Sequence, residues 1–147
     1  MARLTLGQAT KIVEAALGKG RAMGLQPLTV AVLDDGGHLK AFAREDGSGI
    51  MRPQIATGKA WGALGMGFGS RALAARIAQG GAPLAFFDAL NAMSGGRVVP
   101  APGGVLIRGA QGEIDGAVGI SGDTSEKDEA CAVAGIESAG YRADTGG

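Results

Sequence analysis

The chain has one cysteine, one histidine and an aromatic content of only 4% in 147 residues, and its 14 lysines and arginines are balanced by 14 aspartates and glutamates. Each shortage removes a class of protein. A single cysteine forms no internal disulfide, which favours a reducing compartment. One His and one Cys cannot furnish the three or four nitrogen and sulfur ligands of a zinc centre. Zero formal charge leaves no field to gather phosphate backbones or anionic lipid. Few aromatic rings leave few platforms for stacked bases, so neither nucleic acid nor membrane is an expected partner. No long apolar run occurs, and residues 1–8 lack an apolar signal core, so a cytoplasmic protein is expected.

Glycine is abundant, at 28 of 147 residues, against a background near 7%. It follows no triplet period, and falls singly or in pairs between apolar segments. That distribution suits tight turns and close backbone packing. With 46% hydrophobic residues the chain has the means to build one domain over 1–147.

Thr5 followed three residues later by Gln8 is a capping box, and Ile12, Val13, Ala16 and Leu17 recur at helical spacing, which predicts a helix over 5–23 ended by Gly24. A β-rich run over 28–34, the turn Asp35-Gly36-Gly37 and a second run over 38–44 predict a hairpin. Strict alternation would put Leu39, Ala41 and Ala43 on one face and His38, Lys40, Phe42 and Arg44 on the other. Pro53 opens a helix to Met66 that is interrupted by Gly58, Gly62 and Gly65, a pattern expected where another subunit's backbone approaches closely. Ser70 is placed as the cap of a short helix to Ala78, and Pro83 begins another to Met93. Val98-Val99 reads as a short strand, and 105–108 with 114–121 as a second hairpin. A last helix runs from Ser125 to Gly140, and Thr145-Gly146-Gly147 is expected to fray. Two hairpins among helices define an α+β fold: a mostly antiparallel sheet of about five strands flanked by helices.

Few residues carry obvious chemistry. Gly119-Ile120-Ser121-Gly122-Asp123 resembles a nucleophile elbow but lacks the final glycine. The stretch Ser121-Gly122-Asp123-Thr124-Ser125, running from strand to helix, could offer backbone N–H groups to an anion; the ordinary reading is a helix cap. His38 is either a solvated turn residue or a group that ligates a haem iron or moves a proton. Lys59 on the glycine-rich helix ordinarily snorkels to water. Cys131 reads as a small core residue, and Met51, Met66 and Met93 as packing.

Several stretches together resemble the GlcG/HbpS-like haem-binding family, which includes the C-terminal domain of PduO-type cobalamin adenosyltransferases. They are Val30-Ala31-Val32-Leu33-Asp34, Gly36-Gly37-His38-Leu39, Arg44-Glu45-Asp46-Gly47, and Ile55-Ala56 with Lys59-Ala60. The most specific are Pro102-Gly103-Gly104-Val105-Leu106-Ile107, Gly116-Ala117-Val118-Gly119-Ile120-Ser121-Gly122 and Asp128-Glu129-Ala130-Cys131. The resemblance implies an antiparallel sheet flanked by helices, and homodimers that commonly stack into homo-octamers.

Two functions follow. In the first, an oligomer holds haem or a related tetrapyrrole in an apolar groove. His38 is then the available imidazole for the iron, Tyr141 or a Met the weaker candidate, and Arg44 or Lys59 pairs with propionates. Ser121, Gly122 and Thr124 would line the site. The alternative is a small-molecule enzyme of isomerase, lyase or tautomerase type. It would use His38, Arg44, Asp46, Lys59 and Asp128 from an inter-subunit pocket.

Overall fold

A computed structural model describes residues 4–147. The elements in chain order are α1 (Leu6–Ala22), β1 (Thr29–Asp34), β2 (Leu39–Arg44), α2 (Arg52–Met66), α3 (Ser70–Ala78), α4 (Gly81–Met93), β3 (Gly104–Arg108), β4 (Ile114–Ser121), α5 (Ser125–Ser138) and β5 (Arg142–Asp144). The strands form one open sheet in the order β2-β1-β4-β3-β5, with every pair antiparallel. The expected α+β fold is what the chain adopts.

The capping box forms as the sequence requires: the Gln8 amide donates to Thr5 Oγ1 at 3.1 Å and the Thr5 amide donates to Gln8 Oε1 at 2.9 Å. Beyond it, Ala9, Ile12, Val13 and Ala16 are buried against Cys131, Ala132 and Ile136 of α5. Together they cover Val30, Val32, Val105, Ile107, Val118 and Ile120 on one face of the sheet. Each such fully buried aliphatic side chain contributes about 1.5–3 kcal/mol relative to exposure.

The other face is built for close approach. It presents Ala117, Gly119 and Gly104, and α2 lies on it through Ala56, Ala60 and Ala63. A Cβ on Gly119 would collide with the Ala56 carbonyl, and one on Gly104 with the Lys59 carbonyl. With helices on both sides, β1 and β4 are buried along nearly their whole length.

Several expectations are corrected. The β1–β2 register slips between Val32 and Leu33, pairing Val32 with Ala41 and Leu33 with Leu39, so Lys40 is an extra residue in a bulge. Leu39 thereby leaves the face of Ala41 and Ala43, which pack on the core, and joins Phe42. Val98-Val99 forms no strand; the fifth strand is β5, too short for a period to reveal. Ser70 does not cap α3. Its hydroxyl, inside the first turn, instead accepts the Gly104 amide at 2.8 Å and donates to the Ala101 carbonyl. The final residues pack against α3: a Cβ on Gly69 would overlap the Thr145 backbone.

The glycines of α2 are also explained within the chain. A Cβ on Gly58 would come 2.6 Å from the Arg97 carbonyl oxygen, and one on Gly62 2.8 Å from Val98 Cγ1. The backbone that approaches is the molecule's own 97–99 segment. Gly65 meets nothing within 4 Å. By contrast α4, though apolar, buries none of its residues, and Phe86 and Met93 stand 57% and 74% exposed.

Candidate functional site

Two places draw on the residues singled out by sequence. The first is a polar cluster between α2 and the start of α5. Lys59 Nζ donates to the Ile120 carbonyl at 2.9 Å and lies 3.3 Å from Asp128 Oδ2. Asp128 Oδ1 accepts the Asp123 amide at 2.9 Å. Next to this pair, Arg52 donates to Ser121 Oγ at 3.0 Å, and Thr29 shares a 2.7 Å hydrogen bond with Ser48. Arg44 reaches the same network by donating to the Ser48 carbonyl at 2.8 Å.

Lys59 does not snorkel to water; it is 3% exposed and its partner Asp128 1%. Burial is the largest influence on both, lowering the Lys59 ammonium and raising the Asp128 carboxyl from their ordinary values. Each charge partly restores the other, and the Asp123 amide further favours the carboxylate.

The loop before α5 offers less to an outside anion than its sequence suggests. The Asp123 amide goes to Asp128, the Thr124 amide to Asp123 Oδ1 at 2.8 Å, and the Lys127 amide to the capping Thr124 Oγ1 at 3.4 Å. Internal carboxylates and a hydroxyl fill the places an anion would take. Gly122 is backed onto the Pro27 carbonyl and Leu28. Asp46 lies apart, in a shallow charged recess with Arg21, Arg44 and Glu45.

The second place is a groove of about 700 Å³ between β2, the outer face of α2 and the 95–99 segment. Its volume falls within the usual range for small-molecule and cofactor sites. Leu39 and Phe42 form one wall, Met51, Ile55 and Trp61 the floor, and Arg97 with Val99 the far rim. Three features of the fold create it. The Lys40 bulge places Leu39 on the groove side of β2, the absent side chain of Gly58 lets Arg97 and Val99 sit on the helix, and Trp61 stands one turn further along that face. The Arg97 guanidinium lies over Trp61, 3.9 Å from the ring centroid.

His38 does not itself line this groove but adjoins it along the chain. It sits between Leu39, which lines it, and Gly37, whose Cα side faces Trp61. The ring is 82% exposed, and its Nδ1 lies 3.4 Å from Asp34 Oδ1. Burial works to raise the Asp34 carboxyl, but the amides of His38 and Gly36, each at 3.0 Å, prevail and hold it below its ordinary value. His38 and the Lys59 cluster are not brought together. Asp34 pairs with Gly116 and Thr29 with Ser121, so the two ends are five strand residues, roughly 17 Å, apart.

Sequence reasoning missed Arg52, Trp61 and Arg97. Trp61 was legible in principle, as an aromatic one turn beyond Gly58 on a helix. Arg97 sits in a loop, where no periodicity points to it. Among the described residues no group of three or more His, Cys, Asp or Glu side chains could hold a metal ion, and no helix is long and apolar enough to cross a membrane.

A five-stranded antiparallel sheet with helices on both faces and a lateral apolar groove defines an α+β fold of one layered domain. The profile of the family described as "Haem degrading protein HbpS-like" matches residues 4–137, and the chain belongs to that family. Among solved structures, the PduOC:heme complex superposes with a TM-score of 0.83 at 24% identity, over 94% of this chain and 96% of that one. The Klebsiella pneumoniae protein ORFY gives 0.82 at 24% identity, over 92% and 90%. A double mutant of Streptomyces reticuli HbpS gives 0.78 at 29% identity, over 93% and 87%. No curated protein matches the sequence.

Proposed function

We propose that the chain binds haem or a related tetrapyrrole in the groove between β2 and α2. The observation that carries this reading is an apolar space of about 700 Å³ lined by Leu39, Phe42 and Trp61, with Leu39 directly following the only histidine of the sequence. Leu39, Phe42 and Trp61 would hold the macrocycle by contact and exclusion of water. His38 would supply the axial nitrogen. Asp34, whose Oδ1 lies 3.4 Å from Nδ1, would help to orient the ring for ligation. Bound haem would supply a redox-active iron at the protein surface. The family description and the haem-bound structural relative support the same ligand class.

An isomerase or lyase built on Lys59 and Asp128 draws less support. Both groups are sealed from solvent and committed to each other, so no substrate reaches them without α2 lifting from the sheet. Lys59, Ser121 and Asp128 serve in this reading as the brace behind the groove. The exposed apolar side of α4 suits assembly of the chain with copies of itself.

Titration with haemin tests the proposal. The wild type should shift the Soret band to that of a histidine-ligated haem, and His38→Ala should abolish the shift. Met93→Leu, on exposed α4, should leave it intact. A full shift in the His38 variant would remove His38 from the site, and no shift in the wild type would remove haem.

A further inference from the structure

Arg97 is the one formally charged residue among those lining the groove. Other arginines are committed: Arg44 donates to the Ser48 carbonyl, Arg52 to Ser121, Arg71 to Glu129 and Arg108 to Asp144. Arg97 has no such acceptor among the described residues. Its interaction is the stack on Trp61, which covers one face of the guanidinium and leaves the in-plane N–H fork unpaired.

The position is fixed from several directions. Gly95 and Gly96, at φ of 71° and 78°, turn the chain out of α4 in a conformation that side-chain-bearing residues rarely adopt. Val99 then donates to the Gly58 carbonyl at 3.4 Å, tying the segment to α2, and Gly58 gives the Arg97 carbonyl room to lie against the helix. A cation thus stands in place at the rim of an apolar groove that contains no acidic side chain.

We infer that Arg97 reads a carboxylate: the ligand of this groove is an acid whose apolar body lies on Leu39, Phe42 and Trp61 and whose carboxylate takes the free N–H fork of Arg97. The inference rests on the groove reading above and narrows it to anionic ligands. A paired fork gives geometric selection as well as attraction, which a lysine at this point would not. The competing role for Arg97 is a brace, its stack on Trp61 merely holding the 97–99 segment in place.

An iron-free porphyrin dicarboxylate and its dimethyl ester separate these roles, because neither depends on His38. Binding of each to the full chain is followed by porphyrin absorbance, with a thermal melt of each variant alongside. The wild type should bind the diacid about tenfold more tightly than the diester, a gap that narrows with added salt. Arg97→Gln should close the gap by weakening the diacid alone, and Arg97→Lys should restore part of it. Arg76→Gln removes the other stacked guanidinium among the described residues, 4.3 Å from the Phe68 ring centroid and outside the groove, and should leave the gap unchanged. Equal binding of acid and ester by the wild type would overturn the role of Arg97 while leaving the groove reading in place. Equal weakening of both ligands in Arg97→Gln would make Arg97 a brace and overturn it too. If neither porphyrin binds, the inference fails, while the haemin titration decides separately whether the groove reading stands.

Discussion

Lys59 Nζ lies 3.3 Å from Asp128 Oδ2 with both side chains almost wholly inside the protein, at 3% and 1% exposure. An ion pair in that position adds little net stability, yet removing one partner strands a charge away from water. Lys59→Met should therefore cost about 3–5 kcal/mol at neutral pH, and Lys59→Met/Asp128→Asn should recover at least half of that. The pH dependence follows from Asp128. Burial raises its carboxyl in the folded chain, and loss of the lysine removes an influence that lowers it. The folded variant then holds a proton that the unfolded chain releases, so its stability falls as pH rises above the unfolded carboxyl value, about 3.9. Urea melts should show the single variant's deficit shrinking at low pH. A deficit independent of pH would assign the loss to packing.

The two kinds of glycine in α2 should respond oppositely to alanine. At Gly58 a Cβ meets the Arg97 backbone, so Gly58→Ala should destabilise by about 1–3 kcal/mol and weaken ligand binding by moving the rim. At Gly65 a Cβ meets nothing, and Gly65→Ala should stabilise by about 0.5–1 kcal/mol, the helical preference of alanine over glycine. Denaturant midpoints of the two variants check this directly. Equal effects would mean that the 97–99 segment does not depend on Gly58.

Cys131 should be chemically silent in the folded protein. Burial and then the nearby Asp128 charge push its thiol up to about 11. At about pH 8 a disulfide reagent should leave the native chain unlabelled and label it fully in denaturant. Rapid labelling of the native protein would show that α1 and α5 separate readily.

Local chemistry explains which parts of this fold were legible in the sequence. Thr5 with Gln8, Pro53 and the Asp35-Gly36-Gly37 turn each act within a few residues, and the elements fell where they pointed, while the cap of α5 is Thr124 and not Ser125. What stayed hidden depends on contacts between distant segments. The Lys40 bulge, which turns Leu39 into the groove, has no signature in an alternating strand. Gly58 announces a close approach without naming Arg97 as the residue that makes it. Lys59 looks like an ordinary solvent-seeking lysine until the Ile120 carbonyl and Asp128, more than sixty residues away, are folded onto it. Ser121, Gly122 and Thr124 read as an anion loop because their sequence does not show that Asp123 and Asp128 consume its amides.

Trp61 is the single tryptophan of the chain and lines the groove, so a haem seated there must quench its emission. Fluorescence during haemin titration tests the central claim most directly. With haem seated against Leu39, Phe42 and Trp61, emission should be quenched almost completely at equimolar haemin, in step with the Soret change. A Soret change with undiminished tryptophan emission would place the haem elsewhere and contradict the groove as its site.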